Sequence, residues 1–530
     1  MKNKIIYLAI LAAGFVSCEP EFENPVTTDD YSAGEADFSS YVAVGNSLTA
    51  GYMDGTVYKS GQANSFPNLL AQQFALVGGG AFTQPSYEDD VNNLGGISGI
   101  PGFGTRLVID AAQGRPEPLV GTPTISLVAQ ATAYNNMGVP GAKSFHLVAP
   151  GYGNAAGLAL GQANPYFVRH ATSSTATVIG DAMMKNPTFF TNWIGNNDVL
   201  SYATSGGTRP DNPGTPEDES LLAATDQTGN PNAASYGSND ITDPTLFAGV
   251  YTQLIATLTS NGAKGVVATI PNVTSIPYFT TVPYAPLSPT ALGGSANINA
   301  LNAQLYGPLN GIFTAYGEPN RVQLLSATSA NPLLIYDVDA ADRTAQITGA
   351  LTPSLGAQTA AAFGAVFGKA RQATAADLVV LPASSVIGTP NASSPSPLIN
   401  LNGVSYPMPN KWVLTANEQA KVSAATTAYN NAIVSIATTN DLAVADMNAI
   451  LNQLVSGLRA DNGTLYTANY FGGGTTEFKV LFSLDGVHPN ARGYSVIANE
   501  IIKVINEFYN AKLPLLNPNN YPGIHIVPTN

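Results

Sequence analysis

Apolar positions along the chain alternate between short continuous runs and longer stripes of helical period. Tyr41 to Val44, closed by Gly45, is a short run that predicts a buried strand ending in a turn. Thr188 to Ile194 is β-branched and aromatic and stops at Gly195. Lys264 to Ile270 is stopped by Pro271, and Leu442 to Ala445 is a fourth such run. Helical stripes lie between them. Phe66 to Val77 has helical spacing and ends at Gly78-Gly79-Gly80. Asp243-Pro244 reads as an N-cap with proline in the first turn, and Phe247, Val250, Tyr251, Leu254 and Leu258 then share a face until Asn261-Gly262. Thr415 and Glu418 form a capping box before the stripe Val422, Ala425, Tyr429, Ile433 and Ile436. Asn490 caps a last helix carrying Tyr494, Ile497, Ile501, Ile505 and Phe508. Strands alternating with helices imply an α/β fold with a mostly parallel sheet.

Three stretches break the alternation. Residues 201–243 are rich in Gly, Asn, Asp and Pro, residues 278–296 in Pro, Thr and Ser, and residues 320–412 are low in charge. Loops of this length are usually functional or mobile. The 530 residues correspond to roughly three to four domains or to one domain with large insertions. We expect a main domain over 39–512 and a tail over 513–530. The stretch 201–243 follows a strand end, so it is expected to form a wall or lid over a site there.

The N-terminus reads as an address. Lys2 and Lys4 precede an apolar run from Ile5 to Val16, too short to span a bilayer but suited to a signal-peptide core. It ends in Val16-Ser17-Cys18, which resembles a bacterial lipoprotein signal, with Phe15 where the usual motif has Leu. The resemblance implies removal of residues 1–17, lipidation of Cys18, export and anchoring to the outer membrane by acyl chains. Residues 18–38 are acidic and read as a flexible tether. Their acidic start resembles the surface-export signals of Bacteroidetes lipoproteins.

Net charge is −14 and charged residues make up only 11% of the chain. That balance disfavours nucleic acid, which needs clustered Lys and Arg. Cys18 is the single cysteine, so neither an intrachain disulfide nor a cysteine-based zinc site is available. Histidines stand only at 146, 170, 488 and 525, which leaves few candidates for a proton shuttle at neutral pH.

Four short blocks carry candidate chemistry. Ser47 sits directly after a predicted strand in Gly45-Asn46-Ser47-Leu48-Thr49-Ala50-Gly51, a turn that lifts a hydroxyl from the sheet edge where α/β enzymes bind ligands. Asp485 precedes His488 by three residues at the mouth of a helix, so the carboxylate can hold one ring nitrogen and free the other as a base. Asn197, in Gly195-Asn196-Asn197-Asp198, can present an amide to a developing oxyanion. Gly141, in the block 135–142, can offer a backbone N–H to the same charge. Each block alone is also compatible with an ordinary turn.

Together, in this order, the blocks resemble the SGNH, or GDSL-type, serine hydrolase superfamily. The resemblance implies a three-layer α/β/α fold with a mostly parallel, flavodoxin-like sheet. It implies Ser47 as nucleophile, Asp485 and His488 as the rest of the triad, and Ser47, Gly141 and Asn197 as the oxyanion hole. Asn46 stands where the family's name-giving Asp would be. The implied activity is hydrolysis of carboxylic esters, with lipid acyl esters and O-acetylated glycans both open and no cofactor or metal required. A catalytically silent surface lipoprotein that keeps the fold is the competing expectation.

The other candidates read more plainly. His146 and His170 are expected to be structural or surface residues, and His525 to have no role. Asp337, Asp339 and Asp342 are read as a solvated loop rather than a calcium site, and residues 216–219 as an acidic loop tip. Tyr251 and Tyr429 fall on helical stripes and read as core.

Overall fold

The computed structural model describes residues 30–210, 222–460, 463–472 and 479–530. Cys18, the signal segment 1–17 and the acidic tip 216–219 lie outside the described residues. At the centre is a five-stranded, all-parallel sheet: β1 (Tyr41–Gly45), β2 (Asn136–Gly138), β3 (Phe189–Trp193), β4 (Lys264–Ala268) and β5 (Ala443–Ala445). The spatial order is β5-β4-β3-β1-β2, the doubly wound order of flavodoxin-like sheets, whose switch point lies between β1 and β3.

Alternation along the strands divides the core between two faces. Tyr41, Ala43, Phe189, Val266 and Ala443 point to one side. There they pack against helices α1 (Phe66–Ala75) and α2 (Ala491–Phe508) through Leu70, Phe74, Ile501 and Ile505. Val42, Val44, Phe190 and Val267 point to the other side, against Phe247, Tyr251 and Leu254 of the helix Pro244–Leu258 and Tyr429 and Ile433 of the helix Ala416–Thr439. Each such side chain, fully buried, contributes about 1.5–3 kcal/mol. Both faces are covered, as a parallel sheet requires. The two N-caps expected on the second-face helices are present. Asp243 accepts from the Leu246 N–H, and Thr415 and Glu418 close the capping box.

Register fixes the rim. Gly45 pairs with Gly138 on one side and with Trp193 on the other. The segments leaving β1, β2 and β3 therefore start from one level at the carboxyl edge.

Segments outside the central sheet are also ordered, and one of them, 30–38, was expected to be part of a flexible tether. Of the tether 18–38, residues 30–38 are docked: Ser32 pairs with Lys512, the Glu35 N–H donates to the Tyr509 carbonyl at 2.7 Å, and Phe38 stacks on Phe74 with ring centroids 4.0 Å apart. One buried aromatic outweighs the acidic composition around it. The tail 513–530 supplies a strand, Ile526–Val527, to a small sheet with Leu107–Asp110 and Arg115–Pro118. Residues 320–412, which composition left open between a small subdomain and a large excursion, carry secondary structure of their own. They hold the helices Thr344–Leu355 and Ala357–Phe367 and the paired strands Leu334–Tyr336 and Ala370–Gln372. Leu334, Ile335, Val379 and Val380 of this segment join the same core as the second sheet face.

Gly138 is where β2 meets the turn after β1 most closely. A Cβ there would overlap the Ala50 amide nitrogen and come within 2.6 Å of the Thr49 carbonyl carbon. We expect Gly138→Ala to destabilise the fold by about 1–3 kcal/mol through overpacking, read as a lower urea midpoint. An unchanged midpoint would show that the turn can yield.

Candidate active site

The Ser47 hydroxyl lies 2.8 Å from Nε2 of His488, and Nδ1 of the same ring lies 2.9 Å from Oδ2 of Asp485. The three residues thus form one continuous hydrogen-bonded line. Its ends are far apart in the chain and meet because each is positioned independently.

Ser47 opens a single helical turn, Ser47–Ala50, directly beyond β1. Asn46 caps it: its Oδ1 accepts from the Leu48 N–H at 3.1 Å, while its Nδ2 donates to Oδ1 of Asn196 at 3.4 Å. An aspartate could make only the first of these bonds. Asn46 therefore links the Ser47 turn to the segment after β3 without placing another charge beside the hydroxyl. Gly51, at φ +79°, ends the turn and returns its N–H to the Ser47 carbonyl. The positive φ is why glycine stands there.

The Asp485 carboxylate is almost enclosed, and its charge is met by five donors. Oδ1 accepts from the N–H groups of Val487 and His488 and from the Ser483 hydroxyl, each at 2.9 Å. Oδ2 accepts from the Gly55 N–H at 3.1 Å and faces His488. Burial pushes this carboxyl up, but the nearby His488 charge and the hydrogen bonds to His488 and Val487 outweigh it and hold it below the ordinary carboxylate value. It stays ionised and fixes the ring by Nδ1. The Tyr52 ring packs against the imidazole with centroids 4.5 Å apart.

Asn197 begins the helix Asn197–Thr204, and its Nδ2 donates to the Ala142 carbonyl at 2.9 Å. An amide has two N–H bonds, so one is committed to the loop after β2 and the other is available to a ligand. Gly141 has φ +80° and is exposed, one residue before the carbonyl that Asn197 holds. Its N–H donates to no acceptor among the described residues. That loop is anchored below by Ser144, whose N–H and hydroxyl donate to the buried Asp198 at 2.9 and 2.7 Å. Lys143 beside it donates from Nζ to the Asp240 carbonyl at 2.5 Å.

Ser47, His488, Asn196 and Asn197 line one cavity of about 860 Å³, measured out to its open mouth. Gly141 is not among its lining residues. Nor is any described residue of 201–243; residues 211–221 of that segment lie outside the described residues. The Asp240 carbonyl of the same segment holds Lys143. His146 and His170 are enclosed within the fold. His146 accepts the Lys143 N–H on Nδ1 at 3.0 Å and stacks on Tyr152, and burial pushes it down to about 3. His170 is buried and is likewise pushed down to about 3. Asp337, read as solvated, is largely buried and pairs with Arg371, which also holds Asp377. That ion pair is its partner.

Sequence reasoning missed the residues that brace the loop carrying Asp485 and His488. Asp54 is buried. Its Oδ1 accepts from the Leu484 N–H at 3.0 Å, its Oδ2 from the Tyr58 hydroxyl at 2.8 Å, and its own N–H donates to the Ser483 hydroxyl at 3.0 Å. Residues 54 and 55 thus clasp residues 483–485. On the far side the Tyr278 N–H donates to the Gly486 carbonyl at 2.9 Å, and the Tyr470 hydroxyl donates to the Leu484 carbonyl at 2.6 Å. A lone Asp in a glycine-bounded turn gives no sequence signal for such a role.

Burial pushes the Asp54 carboxyl up to about 6; the bonds from Leu484 and Tyr58 oppose this, and the Asp485 charge adds to it. In the unfolded chain the group titrates near the ordinary 3.8. Between these values the folded state binds the proton more tightly, so this group's contribution to stability falls as pH rises through about 6. Asp54→Asn keeps an acceptor for Leu484 and cannot ionise. The stability of the variant relative to wild type is expected to improve by roughly 2–3 kcal/mol from pH 4 to 7.5, measured by urea unfolding. A difference that stays flat with pH would contradict the assignment.

Comparison of the chain with protein-family models, with curated proteins and with solved structures finds no match. The functional reading accordingly rests on the residues and their geometry.

Proposed function

We propose that this chain is a serine esterase of the SGNH, or GDSL, type that hydrolyses carboxylic esters. The observation that carries the reading is the unbroken line from Asp485 through His488 to the Ser47 hydroxyl, ending at a cavity. Such a line is what acyl transfer by a serine nucleophile needs.

In the proposed reaction His488 Nε2 takes the Ser47 proton as the oxygen attacks the ester carbonyl carbon. Asp485, held ionised, keeps the proton on Nδ1 and stabilises the imidazolium. The tetrahedral oxyanion is met by the N–H groups of Ser47 and Gly141 and by the free N–H of the Asn197 amide, each worth about 3–4 kcal/mol in the barrier. Collapse breaks the ester C–O bond, and His488 passes its proton to the departing alcohol. Water then attacks the acyl-serine with His488 as base, and the carboxylic acid leaves with Ser47 restored. No cofactor enters any step.

Ser47→Ala is expected to remain folded, to lose ester hydrolysis by several orders of magnitude and to escape labelling by a fluorophosphonate that modifies the wild type at Ser47. Wild-type turnover in that variant would refute the nucleophile. Asn197→Ala is expected to lower kcat by about 10²–10³-fold with little change in KM. A change confined to KM would make Asn197 a substrate contact instead.

A further inference from the structure

We infer that the cavity behind Ser47 is an acyl-chain site, and that the substrates are esters of aliphatic carboxylic acids well beyond acetate. The inference rests on the ester-hydrolysis reading and names which esters. Apart from Asn46, Ser47, Asn196, Asn197 and His488 at the reacting end, every lining side chain is apolar. None of them is Lys, Arg, Asp or Glu. The far wall is built by Leu451 and Leu454 of the helix Met447–Ser456, by Leu458 and Leu481, and by Val496 and Ile497 of α2. Leu451, Leu454, Leu458 and Leu481 are each less than a tenth exposed, so the cavity runs inward from the serine rather than along the surface.

A pocket of this kind has nothing to offer a sugar. Hydroxyl groups entering it would give up water and find no partner. An acetyl group would leave most of the apolar wall facing water. A linear alkyl chain removes that wall from water along its whole length. The occupant is the acyl part rather than the alcohol because of the reaction order. The acyl group stays bonded to Ser47 through both half-reactions, whereas the alcohol must depart after the first. An inward, apolar cavity opening at the nucleophile suits the part that stays. It also holds the chain while water attacks, so its binding is used in both steps.

The experiment is a series of p-nitrophenyl esters from acetyl to dodecanoyl, with octyl acetate alongside. Wild-type kcat/KM is expected to rise by about fourfold per added methylene until the cavity is filled, with octanoyl at least about tenfold above acetyl. Leu454→Phe shortens the space. Ile450→Phe, at a half-buried lining position that tolerates bulk better, does the same. Each is expected to lower the octanoyl-to-acetyl ratio by about tenfold or more, a ratio that partial misfolding does not move. A flat or acetyl-favouring series, or a preference for octyl acetate over the octanoyl ester, overturns the acyl site and leaves the esterase standing. If no ester is cleaved and the fluorophosphonate spares Ser47, the esterase reading fails. Calorimetry of decanoate with Ser47→Ala then decides the cavity alone. Binding that Leu454→Phe abolishes supports an alkyl-chain site, and no binding overturns it.

Discussion

The site depends on one ring being held by both of its nitrogens. His488 must meet Ser47 on one side and Asp485 on the other, at 2.8 and 2.9 Å, although the serine and the histidine are 441 positions apart in the chain. No local structure can guarantee that. It is met by two separate constraints. Parallel pairing of β1 with β2 and β3 sets the height of the Ser47 turn, and the clasp of residues 54 and 55 on 483–485 sets the position of Asp485 and His488. Because Asp54 follows the Ser47 turn by a few residues, the clasp refers the C-terminal loop to the same strand end that positions Ser47.

The clasp has an electrostatic consequence. The Ser483 hydroxyl accepts the Asp54 backbone N–H and donates to the Asp485 carboxylate, which brings the two carboxylates near enough for the Asp485 charge to raise Asp54. Like charges this near oppose each other's ionisation, and their surroundings decide which one yields. Asp485 has five donors counting the imidazole and stays below the usual range, whereas Asp54 has two donors and more complete burial and is pushed up. Asp54 can thus hold the loop without forcing a proton onto the residue that must remain charged. The absence of a third carboxylate at position 46 keeps the same balance, because Asn46 serves the turn as a neutral cap.

How much of this was legible in the sequence depends on whether a residue acts through a repeated pattern or through a single contact. β1, β3, β4 and β5 are apolar runs buried on both faces, and periodicity finds those. The helices after Asp243, Thr415 and Asn490 announce themselves by their caps. β2 does not: Asn136-Met137-Gly138 is short and polar, and it belongs to the sheet because its backbone matches β1 and because Asn136 donates to Thr49. The triad was legible as order and spacing of residue types. Asp54, Tyr278 and Tyr470 were not, because each acts through one or two bonds to backbone that is distant in sequence. Composition misled in the segment 30–38 and left 320–412 undecided, because in both a few buried apolar side chains override long polar stretches.

Two of the insertions pack against the loop carrying Asp485 and His488. Gly486 lies between Asp485 and His488 at φ +71°, and a Cβ on it would come within 2.8 Å of Leu381 and 3.2 Å of the Tyr278 nitrogen. Leu381 belongs to the segment 320–412 and Tyr278 to the segment 278–296, so both insertions pack against the loop carrying Asp485 and His488 at Gly486. The glycine is needed twice, for its backbone angle and for that contact. With Asp54 pulling on one side and Tyr278 on the other, the loop has little freedom to carry His488 away from Ser47. A triad assembled from opposite ends of a long chain pays an ordering cost that local structure does not cover. Extra mass packed against the loop, and tied into the core of the second sheet face, meets that cost in the folded state before any substrate arrives.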